Sequence, residues 1–255
     1  MRPQGGPPGA PGGRPAILAA SYLAMLAVGV NGTAVMAALP TMGRELALGA
    51  AGLQWVVNAY LVASAVCIIL GGKMADRHGA ERISMIGILV FALASAVIAG
   101  APWAAVVIAG RGLQGIGAAL AVPATLAAVG AAAGPARRPA AIAGWTGFLM
   151  LGFSIGPLAG GVLTHFLGWR TIFGLNVAII LAALAGFLLD RGDARATAPA
   201  NAARPDRLGF LLLAGFMTCL IVGLQSLMRP IAALGPFAAA AAALIGLLAI
   251  ERQHP

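Results

Sequence analysis

Eight long stretches without a charged side chain divide this sequence. They contain no Lys, Arg, Asp or Glu and cover residues 15–43, 46–72, 83–110, 112–136, 139–169, 171–189, 208–228 and 230–250. A helix of about 20 residues crosses the hydrocarbon layer of a bilayer, and each stretch is long enough to form one. A chain in lipid must pair its own backbone groups, and these stretches lack the short alternating strands of a membrane barrel. The sequence therefore predicts an all-α integral membrane protein with eight transmembrane spans.

The composition also predicts how these spans are organised. Hydrophobic residues make up 60% of the chain and charged residues 9%, which is not the composition of a soluble protein. The first apolar stretch is too long for a cleaved signal peptide and no compact basic segment precedes it, so we expect an uncleaved helix. The predicted units are a disordered cytoplasmic tail (1–14), a six-helix bundle (15–189), a cytoplasmic linker (190–207), a helix pair (208–250) and a truncated cytoplasmic end (251–255).

The positive charges are distributed unevenly along the chain, whose formal net charge is +9. If the N-terminus lies in the cytoplasm, twelve of the 16 Lys and Arg residues fall on the inner side, three on the outer side, and Arg111 within a span. This asymmetry follows the positive-inside rule. It predicts a multi-pass protein of the cell membrane with both termini cytoplasmic, and it explains the basic excess without a nucleic-acid partner.

Polar side chains inside the spans are the candidates for function, because such groups are costly in lipid and usually face a cavity or a partner. Arg111 is the one permanently charged residue within a span, and a rise of 1.5 Å per residue places it roughly 12 Å from the outer end of helix 4. Asn31 and Asn58 lie at comparable depths on helices 1 and 2. One interpretation is a common cavity; the alternative is helix–helix hydrogen bonding, with Arg111 snorkelling outward.

Catalytic chemistry has little support in the sequence. His165 is alone near an outer loop, His78 and His254 lie on the cytoplasmic side, and no span contains Asp or Glu. Cys67 and Cys219 fall inside spans, where a packing role is the usual one. We therefore expect no enzyme activity, no cofactor and no metal site.

Helix 5 carries the stretch "GFSIGPLAGG" with glycines at every fourth position. Small residues at this spacing allow another helix to approach closely, and a proline within the helix bends its axis. The stretch therefore predicts a shaped helix contact. Its residues are Gly152, Gly156, Pro157, Gly160 and Gly161.

Five motifs, in order along the chain, together resemble the major facilitator superfamily, and within it the fourteen-helix drug:proton antiporters. "NGTAVMAALP" (from Asn31, with Thr33) and "WVVNAY" (with Asn58) resemble helices 1 and 2 of that family. "RGLQGIGAAL", with Arg111 and Gln114, is similar to its helix 4 motif, and "GFSIGPLAGG" to its helix 5 antiporter motif. "GGKMADRHGAER" resembles the loop between helices 2 and 3, through Gly72, Asp76, Arg77, Gly79 and Arg82.

The resemblance implies a transporter that exports small, drug-like molecules by alternating access, with protons as a possible coupling ion. The cavity and coupling candidates it implies are Asn31, Thr33, Asn58, Arg111 and Gln114, while Asp76 and Arg77 would form part of a cytoplasmic latch. The family's helix 1 motif usually opens with an acid, where this chain has Asn31. An amide cannot take up and release a proton near neutral pH, as a coupling residue would have to do.

The resemblance also implies that this chain is the first bundle plus the central helix pair, eight helices of fourteen. Transport would then need a second six-helix half or a second copy of the chain. Two alternatives stay open at this point: a fragment that does not transport or needs a partner, and a solute importer of the same superfamily.

Overall fold

The computed structural model describes residues 14–190, 207–225 and 230–253, and all regular structure within these ranges is α-helical. The expected all-α fold is thus confirmed. The predicted tail and linker fall almost wholly outside the described residues, so those boundaries stay predictions. The helices are α1 (Pro15–Glu45), α2 (Ala50–His78), α3 (Ala80–Ala99), α4 (Ala104–Ala132), α5 (Gly134–Leu167), α6 (Arg170–Leu189), α7 (Arg207–Gln225) and α8 (Pro230–Gln253).

Six of the helices, α1 to α6, are long and apolar enough to cross a membrane. Helices α7 and α8 contain the shorter apolar segments Leu211–Gly223 and Leu234–Leu247. Six spans and two further helices are therefore present, and that α7 and α8 also cross the membrane stays a prediction. One junction differs: α4 ends at Ala132 and Gly134 adopts φ +70°, so Arg137 and Arg138 belong to the beginning of α5.

Helices α1 and α4 occupy the centre of the bundle. Helix α1 packs mainly against α5 and α6, α4 packs mainly against α2 and α3, and α3 also packs against α6. Helices α7 and α8 pack against each other, and α7 contacts α2. In an apolar stretch of 18 residues, more than half of the residues of α1 and of α4 are buried, compared with 6% for α2 and 17% for α5. The chain therefore buries α1 and α4 and leaves long apolar faces of α2 and α5 uncovered by its described residues.

The apolar core is divided into two clusters that follow each other along the long axis of the bundle. The first cluster includes Val28 on α1 and Ala118 on α4. The second cluster includes Val30 on α1 and Val107 on α4. Helices α3 and α6 show the same division, with Ala92 and Ile180 in the first cluster and Ile98 and Phe173 in the second. Each of these helices carries a polar residue at or close to the junction, and these residues form the candidate site.

Candidate functional site

Five buried polar side chains form a layer between the two apolar clusters, which we call the polar layer. Each is at most 1% exposed. They come from four helices and lie at the same depth, with one residue on each of α1, α3 and α6 and two on α4. The members are Asn31 (α1), Ser95 (α3), Arg111 and Gln114 (α4), and Asn176 (α6).

Arg111 is held by neutral partners on two helices. Its Nε donates to the carbonyl oxygen of Val56 at 3.0 Å, and its Nη1 donates to Gln114 Oε1 at 2.8 Å. The guanidinium Cζ lies 4.4 Å from the centre of the Tyr60 ring, a cation–π geometry. Residues 111 and 114 can meet because side chains three apart share one face of a helix. The charge of Arg111 thus points into the bundle and does not snorkel outward.

Gln114 connects Arg111 to the rest of the polar layer. Its Nε2 donates to Ser95 Oγ at 2.7 Å and to Asn31 Oδ1 at 3.4 Å. Asn31 Oδ1 also accepts from Asn176 Nδ2 at 2.9 Å, and Ser95 Oγ donates to the carbonyl oxygen of Phe91 at 2.7 Å. A continuous chain of hydrogen bonds therefore joins α1, α3, α4 and α6 in the middle of the bundle.

Two polar atoms of the layer have no hydrogen-bond partner among the described residues. They are the donor Asn31 Nδ2 and the acceptor Asn176 Oδ1, and both are buried. A buried polar atom without a partner is expensive, and native proteins usually satisfy it with a water or a ligand. The polar layer therefore has one donor and one acceptor left for hydrogen bonds to a further small molecule or ion.

The structure brings three of the five cavity candidates together and places the other two elsewhere. Asn31, Arg111 and Gln114 belong to the polar layer, whereas Asn58 lines a separate cavity of about 670 Å³ between α1, α2 and α7. Thr33 is half-buried and donates to the carbonyl oxygen of Phe153 on α5 at 3.0 Å. Their roles in binding or coupling stay predictions.

The glycines of the helix 5 stretch lie against α1. Gly152, Gly156 and Gly160 are buried, and an added Cβ at any of them would collide with atoms of α1. Gly161 faces open space, with nothing within 4 Å of a Cβ built there. Three of the four glycines therefore set the close approach of α5 to α1.

Pro157 lies within α5 and its side chain is exposed. A proline has no backbone N–H, so the carbonyl oxygen four residues earlier loses its partner within the helix. That oxygen belongs to Phe153, and it accepts the hydroxyl of Thr33 from α1. The contact with α1 thus satisfies the carbonyl group that the proline leaves free.

The loop motif forms the tight turn between α2 and α3. Gly79 is the residue between the two helices and adopts φ +91°, which favours glycine. Asp76, Arg77 and Arg82 are exposed, and none of the three makes an ion pair or a side-chain hydrogen bond with a residue that the structure describes. Gly72 is half-buried near the end of α2.

Two polar contacts at the ends of the bundle were missed by the sequence reasoning. At the end of the bundle where α1 begins, Arg14 pairs with Glu81 of α3 and with the side chain and carbonyl oxygen of Asp190, directly after α6. We call this contact the inner clamp, after the orientation that the charges predict. Sequence offers no signal for it, because ion pairs between distant helices depend on their packing.

At the opposite end of the bundle, Glu45 Oε2 accepts from Trp169 Nε1 and from Arg170 Nη1, each at 2.8 Å. Arg170 Nη2 also donates to the carbonyl oxygen of Ala101 at 3.1 Å, and its guanidinium stacks over the Trp169 ring. We call this contact the outer clamp. Helices α1, α3 and α6 are therefore tied together at both ends and in the polar layer.

Within the described residues no three His, Cys, Asp or Glu side chains gather to hold a metal ion.

The order of the helices and the positions of these motifs match a known family. The model of the Major Facilitator Superfamily matches residues 21–251. The chain belongs to the Major Facilitator Superfamily. The resemblance noted in the sequence is thereby confirmed at the level of the superfamily, whose members are multi-pass membrane transporters.

Several curated relatives of this superfamily chain are bacterial resistance and export proteins. It is 36% identical to the tetracenomycin C resistance and export protein of Streptomyces glaucescens, over 82% of this chain and 38% of the relative. It is 37% identical to the puromycin resistance protein of Streptomyces alboniger, over 80% of this chain and 40% of the relative. The cephamycin export protein of Amycolatopsis lactamdurans is 37% identical over 75% of this chain and 39% of the relative. The chain therefore spans about four-tenths of the length of these relatives.

Solved transporters share the fold. A transporter of the peptide transporter (POT) family has a TM-score of 0.66 at 15% identity, covering 94% of this superfamily chain and 52% of that structure. A peptide transporter solved with sulfate has a TM-score of 0.63 at 21% identity, covering 89% and 48%. At such identities the likeness shows the helix arrangement alone.

Proposed function

We propose that this chain is the N-terminal bundle and central helix pair of an exporter of small organic molecules. The observation that carries the proposal is the likeness to resistance and export proteins at 36–37% identity over three-quarters or more of this chain. We propose the orientation with both termini in the cytoplasm, since it places most basic residues on the inner side.

The proposed mechanism is alternating access by rocking of one bundle against another, with the substrate bound between them. The burial of the six spans supports this, because α2 and α5 are the least covered of them. Their large exposed apolar side chains include Trp55, Leu61, Met150 and Leu158. A second six-helix half, or a second copy of this chain, would cover these faces and complete the pathway.

Coupling to protons is a further part of the proposal, and the polar layer limits where it can take place. Asn31 and Gln114 are amides, which do not titrate, and the sequence has no acid between the ends of a span. A proton would therefore have to use Asp76 on the inner surface or a residue of the partner bundle. Asp76 and Arg77 are exposed and unpaired among the described residues, as a latch to a second bundle requires.

The test compares this chain alone with a fusion of the chain to the remaining length of the tetracenomycin C export protein. Both are expressed in everted membrane vesicles, and accumulation of a fluorescent amphipathic dye is measured beside membrane insertion. We expect the fusion to accumulate dye and the chain alone to insert without accumulating it. Asp76→Asn in the fusion should lower accumulation without lowering insertion.

Other results would lead to different conclusions. Accumulation by the chain alone would show that it needs no second bundle of another sequence. Dye movement in the opposite direction would support a solute importer. An inserted fusion that moves nothing would contradict the export function.

A further inference from the structure

Arg111 is a buried permanent charge that has no counter-ion among the described residues. The sequence contains seven acidic residues, and every one lies at a helix end or outside the spans. Glu45 is taken by the outer clamp, and Glu81 and Asp190 by the inner clamp. No carboxylate of the described residues contacts Arg111, whose side chain is 1% exposed. Within the part of the chain that the structure describes, the charge is therefore uncompensated.

The partners of Arg111 solvate its charge without neutralising it. A backbone carbonyl, an amide oxygen and an aromatic ring are all neutral groups. A charge that is buried without an opposite charge is strongly unfavourable, which is why intramembrane Arg residues pair or face a ligand. A negative charge from outside the chain would remove this penalty.

We propose that the polar layer binds one monovalent anion that pairs with Arg111. The chemistry fits a halide ion or the carboxylate of a small organic molecule. A guanidinium has five N–H donors, and the hydrogen bonds of Arg111 to described residues use Nε and Nη1, leaving Nη2 without a protein acceptor. Asn31 Nδ2 is a buried donor of the same layer that has no acceptor among the described residues. Asn176 Oδ1, the unpaired acceptor, needs a donor, which a bound water supplies.

Asn31 explains why the counter-charge comes from outside. Its Oδ1 lies one hydrogen bond from Gln114, which in turn accepts from Arg111. Aspartate has the same shape as asparagine and would place a fixed negative charge at this position of the network. With an amide at residue 31, the negative charge has to come from a bound anion, which can leave and be replaced by another. The inference concerns binding alone and does not depend on the proposed transport.

The test measures anion binding to the purified full chain in detergent by equilibrium dialysis. Radioactive chloride and radioactive acetate are titrated separately, at an ionic strength fixed with sulfate. We expect saturable binding of at least one of them, and which one saturates identifies the source as a halide or a carboxylate. Arg111→Gln should abolish binding, and Asn31→Asp should weaken it by about tenfold or more because it supplies an internal counter-charge.

Asn58→Asp is the matched control, since it adds the same charge at a similar depth. The side chain of Asn58 lies about 200° around α2 from those of Val56 and Tyr60, the two residues that Arg111 contacts, and it lines the separate cavity. This variant should bind the anion as the unaltered chain does. If Arg111→Gln fails to insert, Asn31→Asp, which keeps Arg111 and its partners, decides the matter.

Three results would overturn the proposal: no saturable binding of either anion, binding that survives Arg111→Gln, or equal weakening by Asn58→Asp and Asn31→Asp. Each would show that no anion pairs with Arg111 in the polar layer.

Discussion

The contact of α5 with α1 should be highly sensitive to a single methyl group. In Gly156→Ala the new Cβ would overlap Thr33 Oγ1 and lie 2.9 Å from the carbonyl oxygen of Val30 and 3.1 Å from the backbone nitrogen of Ala34. Two of these three atoms belong to the α1 backbone, which cannot move without the whole helix. Overpacking of this kind typically costs about 1–3 kcal/mol. We expect Gly156→Ala to lose stability by that amount.

Gly161→Ala is the control, because it makes the same change five residues later in the same helix. Nothing lies within 4 Å of a Cβ built at Gly161, and alanine favours a helix over glycine by about 1 kcal/mol. This variant should be as stable as the unaltered chain or slightly more stable.

The assay is thermal unfolding of the purified chain in detergent, followed by tryptophan fluorescence. A loss of about 1–3 kcal/mol corresponds to a fall in Tm of roughly 2–12 °C for a chain of this size. An unchanged Tm for Gly156→Ala, or an equal fall for Gly161→Ala, would refute the argument that backbone approach determines this contact.

Two further substitutions test local features of the fold by the same unfolding measurement. Thr33→Val should cost about 1–2 kcal/mol because the Phe153 carbonyl oxygen, already without an in-helix donor owing to Pro157, loses its hydrogen bond; Thr33→Ser should retain stability. Gly79→Ala should cost about 1–3 kcal/mol, since alanine is strained at φ +91°, whereas Gly112→Ala, in open space within α4, should be neutral or stabilising.

The helical fold could be predicted from the sequence because lipid leaves few alternatives. A stretch without charges that is long enough to cross the bilayer must be helical, and this accounts for the placement of α1 to α6. The ends of the helices were less predictable. Arg137 and Arg138 interrupt an apolar stretch, yet the chain turns before them at Gly134, where φ is +70°. Charge marks where a span must leave the hydrocarbon but not which residue makes the turn.

The polar layer was predictable only in part, because depth follows from counting residues while direction depends on packing. Counting placed Asn31 and Arg111 at comparable depths, and the structure joins them through Gln114. The same reasoning could have found Asn176, seventh in α6, since Arg111 is eighth in α4 and both helices begin on the same side. Ser95 carried no signal, because a serine can bond to its own helix in lipid, as this one does.

The three places where α1, α3 and α6 are joined differ in what they contribute. The clamps at the two ends are partly exposed, with side-chain exposures of 25–43%, and ion pairs of that kind are worth about 0–1 kcal/mol. The polar layer is buried, so breaking its hydrogen bonds would leave polar groups unpaired at about 1–3 kcal/mol each. The layer therefore holds these helices and α4 together as one unit. Among the six spans, α2 and α5 are the least buried, so we expect the proposed partner bundle to move against their faces and not within this unit.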